Sequence, residues 1–143
     1  MKINEAAFEQ VVILMKKIAG GIDEVKARSI NNIYTKIRAK IITTEQIITK
    51  CIQLPGVLLQ WINEHQRTGS PMTIKKAFII LLEIAKQRKG VEILNSFGFL
   101  EFGMAYVKNL KDKKLDRQGQ YKEIRDVVEG IIAVIVDFNG VRE

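Results

Sequence analysis

TEQIITKCIQLPGVLLQWINEHQRTGSPMTIKKAFIILLEIAKQRK, residues 44–89, strings three helical segments together, and the rest of the chain reads outward from it. Thr43-Thr44-Glu45-Gln46 offers a cap and an early acidic residue for a short helix, Glu45 to Gln53. Pro55 suits the first turn of a middle helix that carries Val57, Leu58, Trp61 and Ile62 and runs to about His65. Arg67-Thr68-Gly69-Ser70-Pro71 then breaks the pattern, with Ser70 as N-cap and Pro71 as first helical residue. The long helix from Pro71 to Lys89 is expected to stop at Gly90 in the C′ position. Its middle, Ala77-Phe78-Ile79-Ile80-Leu81-Leu82, is apolar nearly all round, the mark of a helix covered by neighbours on two sides.

The same order of parts returns in residues 90–137. Val91 to Asn95 is short, Phe99 to Leu110 carries Leu100, Met104 and Val107, and a last helix from Gln120 carries Ile124, Val127, Val128, Ile131, Ile132 and Ile135. Gly103 inside the middle helix marks either close packing or a weak point. Lys111 to Gln120 reads as a polar loop and residues 138–143 as a tail. Ahead of the two units, residues 4–41 hold a helix over 4–19, with Asn4 as cap and Gly20-Gly21 as stop. A second helix over 22–41 has its apolar stripe at Ile22, Val25, Ile30, Ile33, Tyr34, Ile37 and Ile41. It has the character of the long third helix of an incomplete earlier unit. A period of roughly 40–47 residues with two or three helices each is the signature of armadillo and HEAT arrays, whose units close their cores only by stacking. The short first helix with its glycine turn, Gly90 to Gly98, favours armadillo. The expected fold is all-α: a single domain over residues 1–143, an armadillo-like right-handed superhelix of about two and a half repeats. A compact helical bundle is the alternative.

Composition agrees with a scaffold. The chain has 143 residues, 47% hydrophobic and 27% charged, enough for one domain with a real core. One Cys excludes a disulfide framework and suits a reducing compartment, the cytoplasm by default. One His and one Cys leave little for metal binding or nucleophilic catalysis, and no glycine-rich loop cradles a phosphate, so neither an enzyme nor a cofactor is expected. Nothing approaches 18 consecutive apolar residues, so no membrane span is expected. The net charge of +7 invites a nucleic-acid or acidic-surface reading. No aromatic residues interleave with the basic ones as in single-strand binders, so nucleic acid is not the expected partner.

Several segments together resemble one family. These are Leu58-Leu59-Gln60-Trp61-Ile62, Pro71-Met72 opening a long helix, GVEILNSFGFLEF over residues 90–102, and KIAGGIDEVKARSINNIYTKI over residues 17–37 with its Lys36-Ile37 pair. Their order is similar to the N-terminal region of the rotatin family, which includes the insect anastral spindle protein. The resemblance spans roughly residues 15–137, with longer turns at Glu64–Ser70 and Asp112–Gln120. It implies the N-terminal armadillo-like domain of a much larger protein, a scaffold of the centrosome, centriole and ciliary basal body. It further implies a part in centriole assembly and cilium formation, with centriolar proteins as partners. The rival function is a basic helical domain that binds nucleic acid or acidic protein surfaces such as tubulin tails.

In an armadillo array the third helices line a groove. The expected groove residues are Asn31, Asn32, Thr35, Lys75, Lys76 and Glu83, with amides to bond a peptide backbone and lysines to prefer an acidic partner. Trp61 and Cys51 are expected in the core, and His65 at the end of its helix or in solvent. Exposed repeat ends would favour a homo-oligomer.

Overall fold

A computed structural model describes the backbone of residues 5–142 and the side chains of residues 8–140. The expected cap Asn4 lies outside the described residues. Among these residues the chain forms eight helices and no strand: α1 (Glu5–Gly20), α2 (Asp23–Arg38), α3 (Thr44–Lys50), α4 (Leu54–Glu64), α5 (Pro71–Ala85), α6 (Arg88–Ser96), α7 (Phe99–Asp112) and α8 (Gly119–Arg142).

Local chemistry sets most of the boundaries. Thr43 and Gln46 form a reciprocal capping box that starts α3. Pro71 opens α5, where its missing N–H costs nothing, although the Ser70 side chain makes no capping bond. α2 stops at Arg38 and not at Ile41. Lys40 takes a left-handed φ of 59°. The Ile41 N–H then returns to the Lys36 carbonyl at 2.9 Å and closes the helix end without a glycine. That turn drops Ile42 into the core.

Two expectations about the second unit are corrected. α5 ends at Ala85, and Gly90 belongs to the first turn of α6. A Cβ on Gly90 would run into the Ile84 carbonyl oxygen, so the glycine is there for close approach and not for a helix stop. The junction between the units therefore falls at Lys86-Gln87, and the helices divide the chain as 5–38, 44–85 and 88–142. The other correction concerns residues 138–143. No free tail begins there, because α8 continues to Arg142. Phe138 packs against the core with the Arg88 guanidinium 5.8 Å from its ring centre, and Asn95 donates to Asn139 at 2.9 Å. These contacts hold the last turns against α6.

Packing follows three rows. The long helices α2, α5 and α8 lie side by side, α1 lies against α4, and α3 lies against α6. Within each unit the short and middle helices close on the long one, α3 and α4 on α5, then α6 and α7 on α8. Apolar spacing dictates this. α5 buries Ile74, Ala77, Phe78, Ile80, Leu81 and Ile84, which together cover two sides of the helix. Phe78 carries the seam to the next unit, meeting Phe99 edge-on at 6.4 Å and Tyr106 at 5.1 Å. Gly103 gives close packing: it is buried, and a Cβ there would stand 3.0 Å from Phe99 and 3.3 Å from Ile132.

Candidate functional site: the face of the third helices

α5 sits between α2 and α8, so only one strip of it reaches solvent. Met72, Lys75, Lys76, Ile79, Leu82, Glu83 and Lys86 make up that strip, partly or well exposed at helical spacing. Three expected groove residues, Lys75, Lys76 and Glu83, therefore share it. Each is already engaged. Lys75 Nζ donates to Glu123 on α8 at 3.0 Å. Lys76 Nζ lies 5.4 Å from the centre of the Tyr34 ring on α2. Glu83 accepts from Lys86 at 3.0 Å.

On α2, Asn31 is half-buried one turn before Tyr34, on the side that meets Lys76. Its Oδ1 is buried without a hydrogen-bond donor. Thr35 and Asn32 are exposed, and the Thr35 hydroxyl is spent on the Asn31 backbone carbonyl at 2.9 Å. The structure thus brings Tyr34 and Lys76 together on the α2–α5 seam, with Asn31 one turn before Tyr34 on the same helix, and sends Lys75 to the α5–α8 seam. Sequence reading missed Tyr34 and Glu123 as the partners that orient the two lysines. Lys75 and Glu123 occupy the same position of consecutive third helices, so the repeat register held the signal for that pair.

The remaining reactive side chains serve packing. His65 sits at the C-terminal end of α4, the first of its two expected placements, and is buried there instead of facing solvent. It stacks on Trp61 at 5.1 Å, with Nδ1 3.0 Å from the Trp61 carbonyl and Nε2 3.0 Å from Asp23 Oδ1 at the start of α2. Trp61 is itself in the core. Cys51 is buried with its thiol 3.4 Å from Met15 Sδ; burial pushes the thiol pKa up, partly offset by the Leu54 backbone N–H. Among the described residues no three His, Cys, Asp or Glu converge as a metal site, and no helix is long and apolar enough to cross a membrane.

Arg125 on α8 gathers three carboxylates, Asp116 at 3.5 Å, Asp126 at 3.3 Å and Glu129 at 3.1 Å. With Lys75 and Lys86 paired as well, much of the positive charge on the third helices is met locally. The face offers apolar side chains between paired charges, together with one orphaned amide oxygen.

Comparison with known proteins returns one family. No curated protein and no solved structure gives a significant match. Residues 24–131 match the family described as "Rotatin, an armadillo repeat protein, centriole functioning". This stretch runs from the first turn of α2 to the middle of α8, taking in the whole 44–85 unit and the 88–142 unit as far as Ile131. The chain belongs to the rotatin N-terminal family of armadillo-repeat proteins.

Proposed function

We propose that this domain is a protein-interaction scaffold module of a centriole and basal-body protein, and that it binds its partner polypeptide on the face of α2, α5 and α8. The single observation that carries the reading is Asn31 on the α2–α5 seam. A buried amide oxygen with no donor costs about 1–3 kcal/mol, which a partner N–H at that seam would recover once the side chain turns outward. Lys76 and Tyr34 beside it supply a cation and a ring edge for the partner's side chains. The family's centriolar association supports a role in centriole assembly and cilium formation, at the centrosome and ciliary basal body, and a non-enzymatic one.

The test is proximity labelling and affinity purification of the tagged domain from dividing cells, with Asn31→Ala/Lys76→Glu as the paired variant. Recovery of centriolar proteins by the parent domain, reduced several-fold by the variant, is the expected outcome. Equal recovery by both would remove the third-helix face from the function. Recovery of no centriolar protein by either would remove the function itself.

A second copy of the chain is also proposed as a partner through the open end of the stack. Met104, Val107, Ile132 and Val136 surround a groove of about 460 Å³ there, and Met104 is 58% exposed. Light scattering over a concentration series checks this. Association that persists unchanged in Met104→Asp/Val136→Asp would place the contact elsewhere.

A further inference from the structure

The second-to-third-helix turns fall along one edge of the stack, away from the third-helix strip. Contacts from the α4–α5 turn establish this. His65 reaches Asp23 in one neighbouring unit, and Gln66 reaches Asn109 near the end of α7 in the other. Between the α4–α5 turn and α7 lies a cleft of about 450 Å³, rimmed by Glu64, Arg67, Thr68 and Lys113. A second hollow of about 240 Å³ adjoins it, walled by Phe102, Ala105 and Tyr106. The two share Asn63, Gln66 and Asn109, so a cationic hollow and an aromatic one lie on either side of these amides. Together they fall in the size range of sites for small ligands or a few peptide residues.

The shared residues form a relay of amides. Asn109 Nδ2 donates to Gln66 Oε1 at 3.1 Å, and Gln66 Nε2 donates to Asn63 Oδ1 at 3.2 Å. The middle amide is fixed by both neighbours. The outer ends keep the Asn63 amide N–H as donor and the Asn109 Oδ1 as acceptor, the complement of a peptide C=O and N–H. Arg67 and Lys113 take part in no ion pair among the described residues, unlike Lys75, Lys86 and Arg125. Glu64 on the same rim opposes a continuous run of phosphates, and Tyr106 is too buried to stack on a base.

We propose that this cleft is a second binding site, taking a short acidic peptide segment of a partner protein. The segment's carboxylates would face Arg67 and Lys113, its backbone would bond Asn63 and Asn109, and one apolar or aromatic side chain would lie against Phe102. The site stands apart from the third-helix face and does not depend on it.

The probe is a fluorescently labelled random glutamate–tyrosine copolymer, titrated onto the full chain at physiological salt, with polyglutamate and polyuridylate of similar length alongside. Expected are saturable binding of the copolymer, weaker binding of both comparison polymers, and shifts of the Asn63, Gln66 and Asn109 side-chain amide resonances. Arg67→Glu/Lys113→Glu should weaken the copolymer by about tenfold or more, as charge-assisted contacts are lost. Lys16→Glu/Lys17→Glu, the same charge change at exposed residues of α1, should leave it unchanged, which separates this site from the overall charge of the chain. Both cleft cations are exposed, and a thermal melt checks that the cleft variant stays folded. No copolymer binding, equal weakening by both variants, or polyuridylate binding as tightly as the copolymer would overturn the assignment.

Discussion

α5 and α8 hold the same place in consecutive units, yet they solve different problems. α5 has a third helix on each side and buries Thr73, Ile74, Ala77, Phe78, Ile80, Leu81, Ile84 and Ala85. Among the described residues α8 has a third helix, α5, on one side, and it buries the narrower row Ile124, Val128, Ile131 and Ile135. On its open side stand Arg125 with its three carboxylates and, among them, exposed Val136 and half-buried Ile132. The middle helices repeat the contrast. Leu59 and Ile62 of α4 are buried, while Met104 and Val107 at the same positions of α7 are exposed or half-exposed. Position in the stack, more than helix propensity, decides how much of each helix must be apolar.

One truncation in each unit should break this contrast into numbers. Phe78→Ala removes a fully buried ring from the seam with α7 and should cost about 3–5 kcal/mol in urea unfolding. Ile132→Ala, on the open side of α8, should cost about 1 kcal/mol, the share of its surface that is covered. Similar costs at both sites would mean that the end of the stack is as tightly covered as its middle.

Glycines give the next pair. Gly90→Ala drives a Cβ into a backbone carbonyl that cannot step aside, and should destabilise by about 2–3 kcal/mol. Gly130→Ala lies inside α8, where a Cβ meets nothing, and should stabilise by about 0.5–1 kcal/mol through reduced freedom of the unfolded chain. Thermal melts of both variants check the opposite signs. Destabilisation by Gly130→Ala would reveal a neighbour on the open side in solution.

Much of this was legible in the sequence because periodicity and punctuation are local. The 3.6-residue stripe of α2, the proline starts of α4 and α5 and the all-round apolar middle of α5 each translate directly into a helix and its burial. Glycine was the weaker guide. Gly90 has the look of a helix stop, yet its role is set by Ile84 across the junction, a contact that composition does not encode. Lys40 ends α2 with no glycine at all. The end of α8 is not legible because Asp137 to Arg142 is short and mixed, while Phe138 and Asn139 dock on the rest of the molecule through contacts that local sequence does not encode. At the third-helix face the residue types were readable, but their pairings were not. Whether a lysine is free or spent depends on the neighbouring unit, as with Lys75 and Glu123 or Lys76 and Tyr34. The cleft beside Arg67 lies where two polar turns meet, and polar turns carry no periodic signal.

The smallest expected effect probes the join between the two helices compared above. Lys75 and Glu123 are 3.0 Å apart, with side-chain exposures of 27% and 56%. A partly exposed pair of this kind contributes about 0.2–1 kcal/mol, and salt screens it. A double-mutant cycle with Lys75→Ala and Glu123→Ala should return a coupling in that range, falling as ionic strength rises. The pair holds no long-range role in stability, because the apolar seam beneath it already fixes α5 against α8. Its consequence is at the surface, where it neutralises a lysine that would otherwise be a free cation on the third-helix face. A coupling near zero, with full stability in both single variants, would release Lys75 to bind an acidic ligand and extend the third-helix site from the α2 seam onto α8.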